Sequence, residues 1–280
     1  MAARAVLITG CSTGIGRATS ERLARSDKWV VYATARRPES IADLAGDCRT
    51  LPLDVNDDDS MRAAVAAVER DEGAVGALIN NAGYGQEGAF EETPMEDVRR
   101  QFETNVFGLV RLTQLVLPAM RARRWGRIVN ISSVGGKVVF PGGSFYHATK
   151  HAVEGMSDAL RFELASFGIR VIVIEPGLIK TAFGDTAEAS VAAGDGPYTA
   201  FNAAVAQRVA GAYRGWTGRA FAAGPDAVAR VIERAISSRH PRSRYRVTTG
   251  ARMMLTLRKV LPDTAWDAMM RTQFPRPSPD

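Results

Sequence analysis

The sequence predicts an α/β fold, with one doubly wound parallel sheet carrying helices on both faces. Three observations predict it. Short apolar runs alternate with helix-period stretches from the N-terminus to about residue 176, as in strands joined by crossover helices. The strands are near-continuously apolar, as in Ala5-Val6-Leu7-Ile8, which suits burial on both faces. The first strand also runs straight into a glycine-rich turn, Thr9-Gly10-Cys11-Ser12-Thr13-Gly14-Ile15-Gly16, and then a helix.

Taken in order, strands are expected near residues 4–9, 29–34, 50–53, 76–80, 126–131, 170–175 and 243–247. Helices are expected near 14–26, 57–71, 94–121, 145–168 and 225–238. Pro94 suits the first turn of the long third helix, and Pro118 predicts a kink or an early stop near its end. No linker, repeat or low-complexity tract divides the 280 residues. A single domain over 1–280 is expected, with an insertion at 182–223 and a C-terminal extension at 248–280.

The net charge of +6 is unevenly placed: residues 211–280 carry 13 Lys+Arg against 5 Asp+Glu, and residues 1–210 carry 23 against 25. A basic tail reads as a solvated edge or as a surface for anionic lipid or nucleic acid. It lacks the basic–aromatic alternation suited to stacking bases, so no nucleic-acid partner is expected. Cys11 and Cys48 have no metal-ligand spacing and read as reduced packing residues; no metal site is expected. With no 18-residue apolar run and no signal peptide, a cytoplasmic location is expected.

Two motifs carry chemistry. In the glycine turn, Gly10, Gly14 and Gly16 let the backbone turn sharply and approach a ligand closely. The helix after them offers unpaired N–H groups and a positive dipole end to a pyrophosphate. The second motif is Tyr146-x-x-x-Lys150, with Ser133 thirteen residues before the tyrosine. A phenol has a pKa of about 10, and an ammonium one helical turn away favours its ionised form. Such a tyrosine can exchange a proton with a carbonyl or alcohol oxygen near neutral pH, and a serine hydroxyl can hold the same oxygen. His147 and His151 flank the pair, and helical spacing turns them away from its face, towards a surface or an interface.

Together the two motifs resemble the short-chain dehydrogenase/reductase family. Asn80-Asn81-Ala82-Gly83, Asn105, Ile131-Ser132-Ser133, Pro176-Gly177 and Thr181 match it in order, over roughly residues 4 to 250. The resemblance implies a Rossmann-type dinucleotide-binding catalytic domain with sheet order 3-2-1-4-5-6-7. It implies catalytic roles for Asn105, Ser133, Tyr146 and Lys150. Tyr146 exchanges the proton, Ser133 holds the substrate oxygen, Lys150 holds the nicotinamide ribose, and Asn105 anchors a water that relays protons to Lys150. It further implies cofactor contacts from Thr9, Gly10, Ser12, Thr13, Gly14, Ile15, Gly16, Arg36, Asp54, Val55, Asn81, Ala82, Gly83, Tyr146, Lys150, Pro176, Gly177, Ile179 and Thr181. Ser132 competes with Ser133; the spacing selects Ser133 and leaves Ser132 to cap the turn. Asp54 has two readings, adenine contact or N-cap of the helix near 57.

The nucleotide is read at the end of the second strand, Thr34-Ala35-Arg36-Arg37. Ala35 stands where a carboxylate would grip a ribose 2′-hydroxyl, and a guanidinium follows that can pair with a 2′-phosphate. NADP(H) is therefore expected ahead of NAD(H). Gly10-Cys11-Ser12-Thr13-Gly14-Ile15-Gly16, Val31-Tyr32-Ala33-Thr34, Ser133-Val134-Gly135-Gly136 and Arg244-Tyr245 resemble the steroid- and retinol-dehydrogenase branch, including 17-beta-hydroxysteroid dehydrogenase. This implies a bulky apolar carbonyl or alcohol substrate.

Substrate contacts are expected from 138–145, from Tyr84-Gly85-Gln86, and from the insertion, which carries Phe183, Tyr198, Phe201, Val205, Val209, Tyr213, Trp216 and Phe221. Met253, Met254, Leu257, Val260 and Leu261 form an apolar face in the extension. It reads as a cover over the substrate mouth, a dimer contact or a membrane-surface helix. A homodimer or homotetramer is expected by resemblance, through the helices at 94–121 and 145–168. The competing reading is a catalytically silent NADP-binding sensor; the presence of Ser133, Tyr146 and Lys150 argues against it.

Overall fold

The computed structural model describes residues 4–191, 196–214 and 222–277. Seven strands form one sheet: β1 (Arg4–Ile8), β2 (Trp29–Ala35), β3 (Arg49–Pro52), β4 (Ala77–Asn80), β5 (Gly126–Ile131), β6 (Ile169–Glu175) and β7 (Arg244–Arg246). Every pairing is parallel and the order is β3-β2-β1-β4-β5-β6-β7, as expected. The helices are α1 (Gly14–Ala24), α2 (Asp58–Glu72), α3 (Met95–Phe102), α4 (Gly108–Ala122), α5 (Ser144–Leu164), α6 (Phe183–Ala189), α7 (Thr199–Arg214), α8 (Pro225–Ser237), α9 (Thr249–Val260) and α10 (Asp263–Arg271).

Alternate strand residues face opposite helical layers. Val6 and Ile8 pack with Leu23 of α1 and Val228 and Ile232 of α8. Ala5 and Leu7 pack with Val65 of α2 and Leu112 and Val116 of α4. The central strands are buried from both sides, which is why they show no polar alternation.

A polar chain crosses this apolar centre. Asn80 Nδ2 donates to Asn130 Oδ1 (2.9 Å) and to Thr113 Oγ1 of α4 (3.1 Å). Asn130 Nδ2 donates to Ser157 Oγ of α5 (2.9 Å). Both hydroxyls pass their protons to their own helix, Thr113 to Leu109 O and Ser157 to Val153 O.

The helix expected over 94–121 contains a π-helical turn, Glu103–Phe107, between α3 and α4. Pro118 lies inside α4, which runs on to Ala122, so the early stop does not occur. Val116 and Met120, both fully buried on either side of the proline, hold the last turn by packing. The helix expected to 168 ends at Leu164; a short 3₁₀ turn follows, and Gly168 closes it at φ +73°. Short 3₁₀ segments at Pro38–Leu44 and Val134–Gly136 had no periodic signal.

Part of the basic tail is used internally. Arg244 pairs with Glu154 (2.9 Å) and Asp158 (2.7 Å) of α5, and Arg246 with Glu175 (3.3 Å) of β6. Of the apolar face expected in the extension, Met254 and Leu261 pack against a buried cluster, while Met253 and Val260 are exposed. The buried side is Ala251 and Leu255, packed with Trp266 and Met270 of α10 against Val134 and Val138.

Trp266 is the largest side chain in that cluster, with its ring 6.1 Å from that of Phe140. Trp266→Ala is expected to cost about 3–5 kcal/mol, by local detachment of α9 and α10. Limited proteolysis should then cleave after residue 248 before the sheet unfolds; cleavage no earlier than global unfolding would contradict this packing.

Candidate active site

The polar groups gather where the sheet order reverses. β1 and β4 are neighbours whose connections leave to opposite faces, which opens a crevice at their carboxyl ends. In the β1–α1 turn, Gly10 and Gly14 have φ of +71° and +60°, conformations that side chains resist. A Cβ on Gly16 would lie 2.3 Å from Gly10 O, so the turn folds tightly onto the start of α1. Thr13 is the N-cap and makes no side-chain capping bond, which leaves the first-turn N–H groups to the crevice. Ser12 and Thr13 are exposed at its lip and Ile15 is half-buried.

The loop after β4 is tied to this turn. Thr9 Oγ1 accepts from the N–H groups of Asn81 and Ala82 (both 2.9 Å). Asn81 Nδ2 donates to Thr9 O (2.8 Å) and Gly10 O (3.1 Å). Thr9 and Asn81 thus hold the two loops as one cradle. A Cβ on Gly83 would lie 2.9 Å from Asn105 Oδ1 and 3.8 Å from Lys150 Nζ, so this loop passes directly over both side chains.

Arg36 and Arg37 follow β2, exposed, and neither forms an ion pair among the described residues. Asp54 and Val55 follow β3. Asp54 is not the N-cap of α2: Asp57 takes that place, accepting from Asp59 and Ser60 N–H. Asp54 Oδ1 accepts from Asn56 N–H (3.0 Å), and Val55 is buried against Gly108 of α4. After β6, Pro176 is buried and Gly177 approaches Thr248 so closely that a Cβ would lie 2.3 Å from its Oγ1. Ile179 bridges to Ala223, and the Thr181 side chain lies beside Gly14, over the start of α1.

Tyr146 and Lys150 are both buried on α5, one turn apart. Lys150 Nζ donates to Ile131 O (2.9 Å) and lies 5.8 Å from the Tyr146 ring centroid. Burial pulls the Lys150 ammonium down to about 8, against the opposing charge of Glu154. Asn105 sits in the π turn, Nδ2 donating to Tyr84 O (2.9 Å) and Thr149 Oγ1 (3.2 Å), Oδ1 accepting from Tyr84 N–H (3.1 Å). Such turns occur often at functional sites; here one joins α5 to the cradle through a side-chain amide.

Ser133 lies two residues after β5, and its Oγ accepts from Gly135 N–H (3.0 Å). Ser133 is therefore the turn cap, and its O–H proton remains available to donate. Ser132, expected to cap, is buried with its hydroxyl unpartnered among the described residues. His147 also departs from expectation: it is buried, its Nε2 accepts from Phe140 N–H (3.1 Å), and its Nδ1 lies 3.1 Å from Gly135 O. The segment between Ser133 and Tyr146 folds back over the first turn of α5 and covers that face. His151 is exposed, as expected.

Sequence reasoning missed Thr149, whose position three residues after Tyr146 places it on a neighbouring face. Three apolar segments meet near Tyr146. The Phe183 ring is 5.4 Å from it, Phe140 packs beside His147, and Val205 closes on Gly142. The Tyr213 side chain, Trp216 and Phe221 lie outside the described residues. Among the described residues no cluster suits a metal ion and no helix is long and apolar enough to cross a membrane.

The comparisons agree with this fold. Residues 4–191 match the model of the family described as short chain dehydrogenase. The chain is 34% identical over 283 residues to the uncharacterized oxidoreductase YusZ of Bacillus subtilis, covering 96% of this chain and 97% of that one. It is 43% identical over 180 residues to a 3-ketodihydrosphingosine reductase of Bacteroides thetaiotaomicron, covering 64% and 65%. The crystal structure of a short-chain dehydrogenase from Streptomyces avermitilis superposes with a TM-score of 0.78 at 38% identity, covering 96% and 98%.

Burial holds the His147 ring neutral, down to about 4, with the Gly135 hydrogen bond opposing. An unfolded histidine titrates near 6.5, so keeping the folded ring neutral costs stability as pH falls from 6.5 towards 4. His147→Ala is expected to lose about 1–3 kcal/mol near pH 7.5, since it orphans buried backbone groups. That deficit should shrink as pH falls through this window; a deficit that widens in urea titrations would contradict the assignment.

Proposed function

The chain belongs to the short-chain dehydrogenase family, and from that premise we propose an NADP-dependent oxidoreductase interconverting a ketone or aldehyde and an alcohol. The observation that carries the reading is the convergence of Tyr146, Lys150, Asn105 and Ser133 at one crevice with a glycine cradle. That cradle fits a dinucleotide: a Cβ on Gly16 would collide with Gly10 O, so the backbone turns tightly onto α1, whose start has no side-chain cap.

In this reading Gly10, Ser12, Thr13, Gly14, Ile15 and Gly16 take the pyrophosphate at the start of α1. Asp54, Val55, Asn81, Ala82 and Gly83 border the adenosine half. Pro176, Gly177, Ile179 and Thr181 border the nicotinamide half. A bound nicotinamide nucleotide supplies or takes the hydride. Tyr146 Oη gives a proton to the substrate oxygen in reduction and takes it back in oxidation. The Ser133 O–H donates to the same oxygen and positions it. Lys150 holds ribose hydroxyls, and its cationic head favours negative charge at the phenol oxygen. Asn105 serves the proton route to Lys150 through an anchored water.

Ala35 and the free guanidinium of Arg36 support NADP(H) over NAD(H). The apolar walls from Phe140, Phe183 and Val205 support a bulky steroid-, retinoid- or lipid-like substrate. The relative named as a 3-ketodihydrosphingosine reductase supports it too. We read the whole chain as one catalytic domain, cytoplasmic, with 182–223 and the extension covering the substrate. Phe107 and Phe162, exposed on the long helices, support a homodimer or homotetramer built on those faces.

Two substitutions test the reading. Tyr146→Phe is expected to lower kcat at least about a hundredfold with little change in NADPH affinity; near-normal turnover at 340 nm would contradict the mechanism. Arg36→Ala is expected to weaken NADPH roughly tenfold or more, the scale of a charge-assisted bond, and to leave NADH binding nearly unchanged. Equal losses for both nucleotides would show that Arg36 does not read the phosphate.

A further inference from the structure

Glu87 has no part in the mechanism above. It lies in the loop after β4, four residues beyond Gly83. Its N–H donates to Ser190 Oγ after α6 (2.8 Å), and Gly88 N–H donates to Gly142 O (2.8 Å). These bonds fix the loop against the turn that leads into α5. The carboxylate points at that turn: a Cβ on Gly143 would lie 2.9 Å from Glu87 Oε2 and 2.7 Å from His147 Nε2. Gly143 precedes Tyr146 by three residues, and positions so spaced are neighbours on a helix. The carboxylate therefore sits beside the turn that carries the reacting phenol, so close that even a methyl at 143 would collide with it.

The carboxylate makes no hydrogen bond or ion pair with any described residue, and burial pushes it up to about 7 with no charged neighbour contributing. His147 does not serve as its partner, because Nε2 already accepts from Phe140 N–H and burial keeps the ring neutral. Glu87 is half-buried; a carboxylate left unpaired where water is partly excluded is unfavourable, and such groups in a cleft point to a charge that arrives with a ligand. The other walls, Phe183, Val205 and Phe140, are apolar and carry no negative charge.

Resting on the oxidoreductase reading, we propose that Glu87 determines specificity by holding the ammonium of an amino ketone or amino alcohol while Tyr146 and Ser133 hold its reacting oxygen. The amine end lies at the Glu87 carboxylate and the apolar remainder runs between α6, α7 and the 138–145 segment.

The test compares an alkyl aminomethyl ketone with the alkyl ethyl ketone of the same length, using the full chain and NADPH. Wild type is expected to favour the amine. Glu87→Gln should raise the KM of the amino ketone roughly 10- to 100-fold, the span of a charged hydrogen bond, with kcat largely kept. The KM of the ethyl ketone should stay or fall, and Glu87→Asp should restore part of the preference. Equal changes for both ketones, or a wild type that reduces the ethyl ketone with no preference for the amine, would overturn the role of Glu87 and leave the oxidoreductase reading standing. No NADPH oxidation with any ketone would overturn both. Inhibition of the wild type by an alkylamine and by the matching alcohol gives the same answer without a variant: stronger inhibition by the amine supports the site, and equal inhibition refutes it.

Discussion

Asn80 and Asn130 meet side by side in the centre of the sheet, and their amides reach out to Thr113 of α4 and Ser157 of α5. A buried polar group without a partner costs about 1–3 kcal/mol, so each of the four accepts only a narrow range of placements. Sliding β4 against β5, or rolling α5 on the sheet, would orphan several at once. Asn80 leads directly into the cradle loop, Asn130 into Ser133, and Ser157 lies two turns along the helix that carries Lys150. One ladder thereby sets the height of three parts of the site.

Charge reinforces the same helix from the other side. Glu154, one turn beyond Lys150, is buried and pairs with Lys137 (3.2 Å) and Arg244 (2.9 Å). Arg244 belongs to the short edge strand β7, and it also reaches Asp158. Breaking a buried pair leaves an uncompensated charge and is costly, so this network specifies where β7 attaches and stabilises the charged form of Lys150 against its burial. The π turn at Glu103–Phe107 completes the arrangement, because it brings Asn105 to the same helix from α3 and α4.

Most of the fold was legible because parallel strands buried on both faces leave long apolar runs with turn residues after them. The cradle and the Tyr146–Lys150 pair were legible for a related reason: Gly10, Gly14 and Gly16 mark backbone that no side chain permits, and a four-residue spacing defines one helical face. Less legible were features decided by tertiary contact. Ser132 and Ser133 differ by which hydroxyl the turn uses, and sequence spacing says nothing of that. His147 looked peripheral from helical angle alone, yet the chain between Ser133 and Tyr146 folds back and buries it. Asp54 and Asp57 both stand before a helix, and only the local dihedral angles choose the cap. In α9 the face is set by Trp266 and Val134, which lie far apart in sequence.

The claim on which the rest depends is that the Asn130–Ser157 contact couples α5, the helix of Tyr146 and Lys150, to the sheet. A double-mutant cycle of Asn130→Ala and Ser157→Ala, read as unfolding free energy in urea, tests it directly. Residues sharing one hydrogen-bonded network show coupling energies of about 0.5–3 kcal/mol. The account predicts a coupling of about 1 kcal/mol or more, with the double variant less destabilised than the sum of the singles. Losses that add within about 0.3 kcal/mol would show that helix and sheet are held independently of this ladder, and would contradict the account.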